Sequence, residues 1–316
     1  MTTHIPVMVD EVIRNLDFTV KGVYVDATLG GGGYLRRILE KVSDSVVIGI
    51  DQDIEAIELV RKDLGLDFKD SEITVNGFSC KVCSSTDSGR NTTVFLVNSN
   101  FNNLISILES LAKDNTLVAV IADLGFSTDQ LERKRGFSFM KDDEELDMRM
   151  SLNLGVKAKD FLNALGVSEL TKIFSEYGDE KYANKLARFV NDQRKVKPFE
   201  SVRDLNNVLY KLEYSKDKYI DLKQRIYQAL RIAVNYEFDA LRGLLTESLK
   251  VMNEKTRVMV VSFHSGEDRR VKKSFKELFR AGVYSEIAPD PIRPSAEESN
   301  TNPRARSAKL RWAIKE

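Results

Sequence analysis

The stretch VYVDATLGGGGYLRRILEKV, Val23 to Val42, restricts the fold more than any other part of the chain. Val23 to Ala27 alternates and is rich in β-branched and aromatic residues, which predicts a strand. Four glycines follow, Gly30 to Gly33, and then Leu35, Ile38, Leu39 and Val42 recur at helical spacing. SVVIGID, Ser45 to Asp51, reads as a buried parallel strand, and IEAIELVRKDL as a second helix. Strand, glycine turn, helix, strand and helix in that order open a doubly wound α/β sheet. Such sheets bind ligands beyond the carboxyl ends of their strands, and the first strand-to-helix turn is one of the places where they do so.

The pattern then extends and changes. ITVNG and VFLVNSN read as strands, with FSCKVCSSTDSGRNTT between them as an inserted loop or hairpin. NTLVAVIADLGFS holds the strongest buried strand, Leu117 to Leu124, ending beside Asp123. From about Leu131 to Arg225 the segments AKDFLNAL, VSELTKIFSEYG, EKYANKLARFVNDQR and VRDLNNVLYKL are amphipathic helices, and no buried parallel strand interrupts them. A long helix is expected over roughly 222–252, and strand character returns in RVMVVSF, Arg257 to Phe263. The expected organisation is an α/β domain over 1–130, an inserted all-helical domain over 131–224, and the rest of the α/β domain over 225–316.

Composition narrows the class. The 316 residues carry 48 basic and 48 acidic side chains, so the formal net charge is zero. The bases are nevertheless clustered. Lys181 to Arg203 has seven against two acids, Thr301 to Glu316 has five against one, and Arg133, Lys134 and Arg135 are consecutive. Each cluster reads either as a phosphate-binding face or as a solvated helix surface. No apolar run approaches the ~18 to 20 residues of a membrane span, and the N-terminal residues lack a secretory h-region. A cytoplasmic location with no membrane partner is expected. Two cysteines exclude a disulfide framework. Cys80 and Cys83 form one C-x-x-C pair with no second pair to complete a zinc site, and read as surface cysteines in the inserted loop.

The second strand ends at Asp51, 18 residues after Gly33. A carboxylate there can accept both hydroxyls of an adenosine ribose, as in NAD, FAD or S-adenosylmethionine sites. The dinucleotide fingerprint needs a third small residue, but counting from Gly30 that position is Leu35, and from Gly31 it is Arg36. This counts against a nicotinamide oxidoreductase. No Lys-Ser/Thr follows the glycines, so the turn is not a Walker A loop. A purely structural tight turn stays open at this point.

The segments HIPVMVDEVI, DATLGGGGY, GIDQD, ADLGFS, RGFSFM, LDMRM, FHSGEDRRVK and NPRARSAKLR, in this order from His4 to Arg311, resemble the RsmH (MraW) family. The resemblance implies a class I S-adenosylmethionine-dependent methyltransferase, a Rossmann-like doubly wound sheet with an inserted all-helical domain. It implies methyl transfer to the exocyclic N4 of a cytosine in 16S ribosomal RNA of the small ribosomal subunit. It also implies S-adenosylmethionine contacts at Gly32, Gly33, Tyr34, Asp51, Asp123 and Gln130, with Phe101 beside the adenine. Tyr34 stands where the family has a His, Phe126 and Thr128-Asp129 where Val and Ser-Pro are common, and Gly266 where Leu is common. Asp123 is further read as the group that orients the target amine, making it the catalytic candidate. Phe126 or Phe137 is either a stacking surface for the base or core packing. His264 either faces the cleft or is a buried, satisfied histidine. Retention of Asp51, Asp123 and the glycines argues against a non-catalytic binding module. The oligomeric state is not legible.

Overall fold

Every residue of the first strand, β1 (Val23–Asp26), is buried, as befits a strand covered on both faces. The computed structural model describes residues 6–125, 134–212 and 214–316. They form two units, one from Met1–Phe126 with Asp239–Glu316 and one from Ser127–Phe238.

The first unit begins with helix α1 (Val9–Arg14), then β1, α2 (Gly33–Leu39), β2 (Val46–Asp51) and α3 (Ile54–Leu64). A hairpin, β3 (Lys69–Val75) and β4 (Phe78–Asp87), precedes β5 (Thr92–Asn98), α4 (Leu104–Leu111) and β6 (Leu117–Asp123). The second unit contains α5 (Ala158–Ala164), α6 (Val167–Glu176), α7 (Ala183–Val196), α8 (Val202–Tyr210) and α9 (Lys216–Val234). The chain re-enters the first unit through α10 (Glu237–Arg242) and continues with β7 (Arg257–Ser262), α11 (Ser265–Arg280), β8 (Tyr284–Ile287), α12 (Ala296–Thr301) and β9 (Lys309–Lys315).

The nine strands form one sheet in the order β3-β4-β5-β2-β1-β6-β7-β9-β8. β5, β2, β1, β6 and β7 are parallel, and the remaining pairings are antiparallel. The chain starts in the middle at β1, builds outward through β2 and β5, then crosses back to place β6 on the other side of β1. That reversal marks the expected ligand edge. Side chains alternate between two cores. Val25, Ile48 and Val120 face α4 and α11, and Tyr24, Val47 and Ile121 face α1, α2 and α3.

The structure resolves or corrects the sequence reading in four places. Of the two alternatives for FSCKVCSSTDSGRNTT the structure shows the hairpin: FSCKVCSSTD is a ten-residue strand paired to β3 and to β5. Its polar residues Ser79 and Lys81 face outward while Cys80 and Val82 enter the core, so the average composition hid the alternation. The Asn76-Gly77 turn, with φ of 49° and 84°, is the two-residue signal that joins β3 to β4 as a hairpin. Accordingly Cys80 and Cys83 are buried, not surface residues. They belong to opposite cores, so they cannot share a metal. The long helix breaks after Val234, where Tyr236 takes a left-handed φ of 52°. Asn235 stops it by accepting the Met150 N–H at 2.8 Å and donating to the Met148 carbonyl at 2.8 Å. Consequently α9 lies wholly within the helical unit, which runs past position 224 to Phe238. Finally, the basic tail residues Lys309–Lys315 form β9, an inner strand between β7 and β8.

No helix among the described residues is long and apolar enough to cross a membrane. A Cβ at Gly77 would meet nothing within 4 Å. Gly77→Ala should therefore cost only backbone strain, ~1–2 kcal/mol, read as a lower urea midpoint at unchanged m-value.

Candidate active site

Five parallel strands deliver polar residues to one edge of the sheet. β1 ends at Asp26, β2 at Asp51, β5 at Asn98, β6 at Asp123 and β7 at Ser262. Each chain exit is fixed locally. Asp53 caps α3 by accepting the Glu55 N–H at 3.1 Å. Asn100 accepts the Asn102 N–H at 2.9 Å and so starts the 3-10 turn that carries Phe101. His264 caps α11, its Nδ1 accepting from Gly266 and Glu267.

The glycines of the first turn have separate causes. Gly30 and Gly32 are left-handed, at φ 47° and 75°. A Cβ on Gly33 would lie 2.1 Å from Pro6 Cγ, and one on Gly32 2.8 Å from Val60 Cγ2. Neighbours within the chain therefore exclude side chains at both. Outside Gly30 the nearest heavy atom to such a Cβ is the Thr28 carbonyl oxygen, 3.8 Å away, so the space there is open.

Carboxylates hold this turn by its backbone. Asp51 Oδ2 accepts the Gly30 N–H at 2.9 Å, and Asp51 Oδ1 accepts the Asp53 N–H at 2.9 Å. Asp26 accepts the N–H groups of Thr28 at 3.3 Å and Leu35 at 3.2 Å. Leu35 is the third residue of α2, and its N–H has no acceptor within the helix. Across the reversal, Thr28 Oγ1 accepts the Asp123 N–H at 2.7 Å, tying the turn to β6. The Tyr34 hydroxyl donates to the Val7 carbonyl, so its tip is engaged with the N-terminal segment.

Burial governs the charges. It pushes the Asp26 carboxyl up to about 7, the N–H groups of Thr28 and Leu35 pull it down, and the nearby charge of Asp51 raises it again. Burial also holds Asp123 well above the ordinary carboxylate range, Asp26 adds to this, and Arg304 opposes it. Asp123 has some exposed surface, but its Oδ1 is enclosed and has no hydrogen-bond partner among the described residues. A buried acceptor left in that state needs a donor.

Of the residues read from the sequence, Gly32, Gly33, Tyr34, Asp51, Phe101 and Asp123 all lie on this edge. Gln130, Phe126, Thr128, Asp129, Arg133 and His4 fall outside the described residues. Phe137 is buried in the helical unit. His264 is a helix cap. Asp26 and Thr28 were missed, although both stand in the DATLGGGG segment. An acid directly before a glycine turn was the available signal.

A pyrophosphate-binding turn would need a small residue where Leu35 sits fully buried. This counts against a dinucleotide at the turn. The doubly wound sheet with this turn at its reversal accords with a class I S-adenosylmethionine-dependent methyltransferase, the class that the family comparison shows. The chain belongs to the MraW methylase family, whose family model matches residues 1–316. It is 36% identical to the ribosomal RNA small subunit methyltransferase H of Clostridioides difficile (strain 630), with 99% of this chain and 98% of that protein covered. It is 38% identical to the protein of the same name from Clostridium botulinum (strain Loch Maree / Type A3), with 98% and 97% covered. The Caldicellulosiruptor bescii protein of that name is 35% identical, with both chains fully covered.

Asp26 makes stability depend on pH with a definite sign. Its folded value, about 7, lies above the ordinary 3.8. Between those values the folded chain holds a proton that the unfolded chain releases, so stability falls as pH rises through this window. Asp26→Asn removes that titration, and its urea midpoint should change less between about pH 4 and pH 7. Equal pH dependence in variant and wild type would refute the assignment.

Proposed function

We propose that the chain transfers the methyl group of S-adenosylmethionine to the exocyclic N4 of a cytosine in 16S ribosomal RNA, acting on the small ribosomal subunit in the cytoplasm. The family and the relatives' names support the reaction. The single structural observation that carries the site is the enclosed, unpartnered Oδ1 of Asp123 at the sheet's reversal.

The residues present fit the cofactor. Above Gly30 the backbone is open to an approaching ligand. Asp51 stands at the end of β2, where a ribose would be received. Phe101 offers a ring beside it for the adenine, in a turn packed on the core. Gly32, Gly33 and Tyr34 contribute backbone at the start of α2, not side chains, because Pro6, Val60 and Val7 occupy their surroundings. Gln130 is the remaining candidate contact.

When bound, S-adenosylmethionine supplies a methyl group on a sulfonium, an electrophile that needs no further activation. The protein's task is to present the amine. The lone pair of a cytosine amine is delocalised into the ring, so catalysis rests on orientation and on accepting a proton or partial charge. Asp123 suits this role. Burial raises its affinity for a proton, which makes it a stronger base than an exposed carboxylate. Its main-chain N–H is fixed to Thr28, so the side chain departs from an anchored point. The base must leave its stack to reach this edge.

Asp51→Ala should weaken S-adenosylmethionine binding by ~1.5–3 kcal/mol, the scale of hydrogen bonds to a charged group. Calorimetry on the folded variant checks this, and unchanged affinity would remove Asp51 from the ribose. Asp123→Asn should lower the rate of methyl transfer to small ribosomal subunits far more than it lowers cofactor affinity. Nucleoside analysis of the product then shows whether N4-methylcytidine is the one lost.

A further inference from the structure

The fold engages part of the basic clusters that stand out in the sequence, although Lys181, Lys185 and Arg188 stay exposed with no acidic partner among the described residues. In the helical unit Lys195 pairs with Asp192 at 3.1 Å and Lys197 with Asp204 at 2.8 Å. Arg194 donates to the carbonyls of Leu162 and Leu165 at 3.1 and 2.6 Å, and Arg203 pairs with Asp143. In the tail, Lys309 and Arg311 share Asp268 at 3.0 and 2.7 Å, and Arg306 donates to the Ser299 carbonyl at 3.0 Å. These side chains hold the protein together.

A different stretch keeps its charge. From Arg269 to Arg280, helix α11 has six bases against one acid, Glu277. Its buried face is Val271, Phe275 and the acids Glu267 and Asp268 at its start. At 100° per residue, Arg269, Lys273, Lys276 and Arg280 fall on the opposite face and Lys272 on its flank. All five are exposed. Lys273 lies 3.9 Å from Glu277 across a wet surface, a pairing of little strength. Lys272, Lys276 and Arg280 have no acidic partner among the described residues. Phe279, 45% exposed, flanks the stripe.

From this geometry we infer that the outer face of α11 is a track for the phosphate backbone of RNA. The inference rests on the functional reading above and deepens it. The helix starts at the carboxyl end of β7, on the same sheet edge as Asp123, and leads away from it. From Arg269 to Arg280 the stripe runs about 16 Å at the helical rise. Cations at one-turn intervals match a repeating anion, and an exposed ring beside them gives an unpaired base a surface to stack on. Substrate RNA bound at the edge would continue along this helix. In a chain of zero net charge, the exposed cations Lys272, Lys276 and Arg280 also steer a polyanion to that edge.

The test uses the full chain with Lys272, Lys276 and Arg280 all changed to Gln. The positions are exposed, so the thermal transition should not move; a Lys276→Gln single variant serves as a second, milder probe. Binding of protein-free small-subunit ribosomal RNA is measured against salt, together with S-adenosylmethionine affinity and methyl transfer to small ribosomal subunits. The expected result is a salt slope shallower by about 2–3 in the triple variant, since each lost phosphate contact removes about 0.7–0.9. The single variant should lose about one contact, and cofactor affinity should be unchanged in both. An unchanged slope overturns the track. So does an unchanged slope with impaired methylation of subunits, which would assign the stripe to a protein of the particle. A wild type that neither binds the RNA nor methylates the subunits overturns the functional reading and the track together.

Discussion

The site depends on carboxylates holding backbone N–H groups around the first turn. Asp26 binds the start of α2 from beneath, and Asp51 binds Gly30 from the neighbouring strand. Thr28 then links the same turn to Asp123 on the other side of the reversal. Three parallel strands are thus joined at their carboxyl ends through one loop. The arrangement is costly in isolation, because Asp26 is buried and faces Asp51. Its persistence fits a loop that has to be stiff before a ligand arrives, since a preorganised backbone loses little freedom on binding.

Much of this was legible from the residues. The opening β-turn-α-β-α unit, the buried run at Leu117 and the helical insertion follow from period and run length, which packing of a doubly wound sheet enforces. Asp51 and Asp123 were legible as acids closing buried strands. The rest was hidden for physical reasons. β4 is polar on one face, so its mean composition imitates a loop. β9 carries Lys309 and Arg311, whose charges are cancelled by Asp268, a residue some forty positions earlier. The break at Asn235 depends on contacts with Met148 and Met150 that local sequence does not contain. The glycines were rightly located, but their reasons differ. Two of them accommodate Pro6 and Val60, which no spacing argument could reveal.

Charge follows the same logic. A count of bases along the chain measures proximity in sequence, whereas binding responds to charge left over after folding. In the helical unit and the tail, Arg194, Lys195, Lys197, Arg203, Arg306, Lys309 and Arg311 are spent on carbonyls and carboxylates. In helix α11, Lys272, Lys276 and Arg280 find no such partner among the described residues, because the acids in its first turn, Glu267 and Asp268, are turned inward to cap the helix and to receive Lys309 and Arg311. Burial of two acids on one face is what leaves the other face so basic.

The N-terminal segment shows how early and late parts of the chain are joined. Pro6 lies on Gly33, the Val7 carbonyl receives Tyr34, and the Met8 N–H reaches Glu298 at 2.7 Å. The outer wall of the first turn is therefore secured by a residue near the other end of the chain. On a translating ribosome, where the chain emerges from its beginning, the glycine turn can form early, but its support cannot. A nascent chain halted before α12 would have its five parallel strands synthesised, but β9 still missing and its ligand edge unfastened. Competence for the cofactor would then arrive as one of the last events of synthesis.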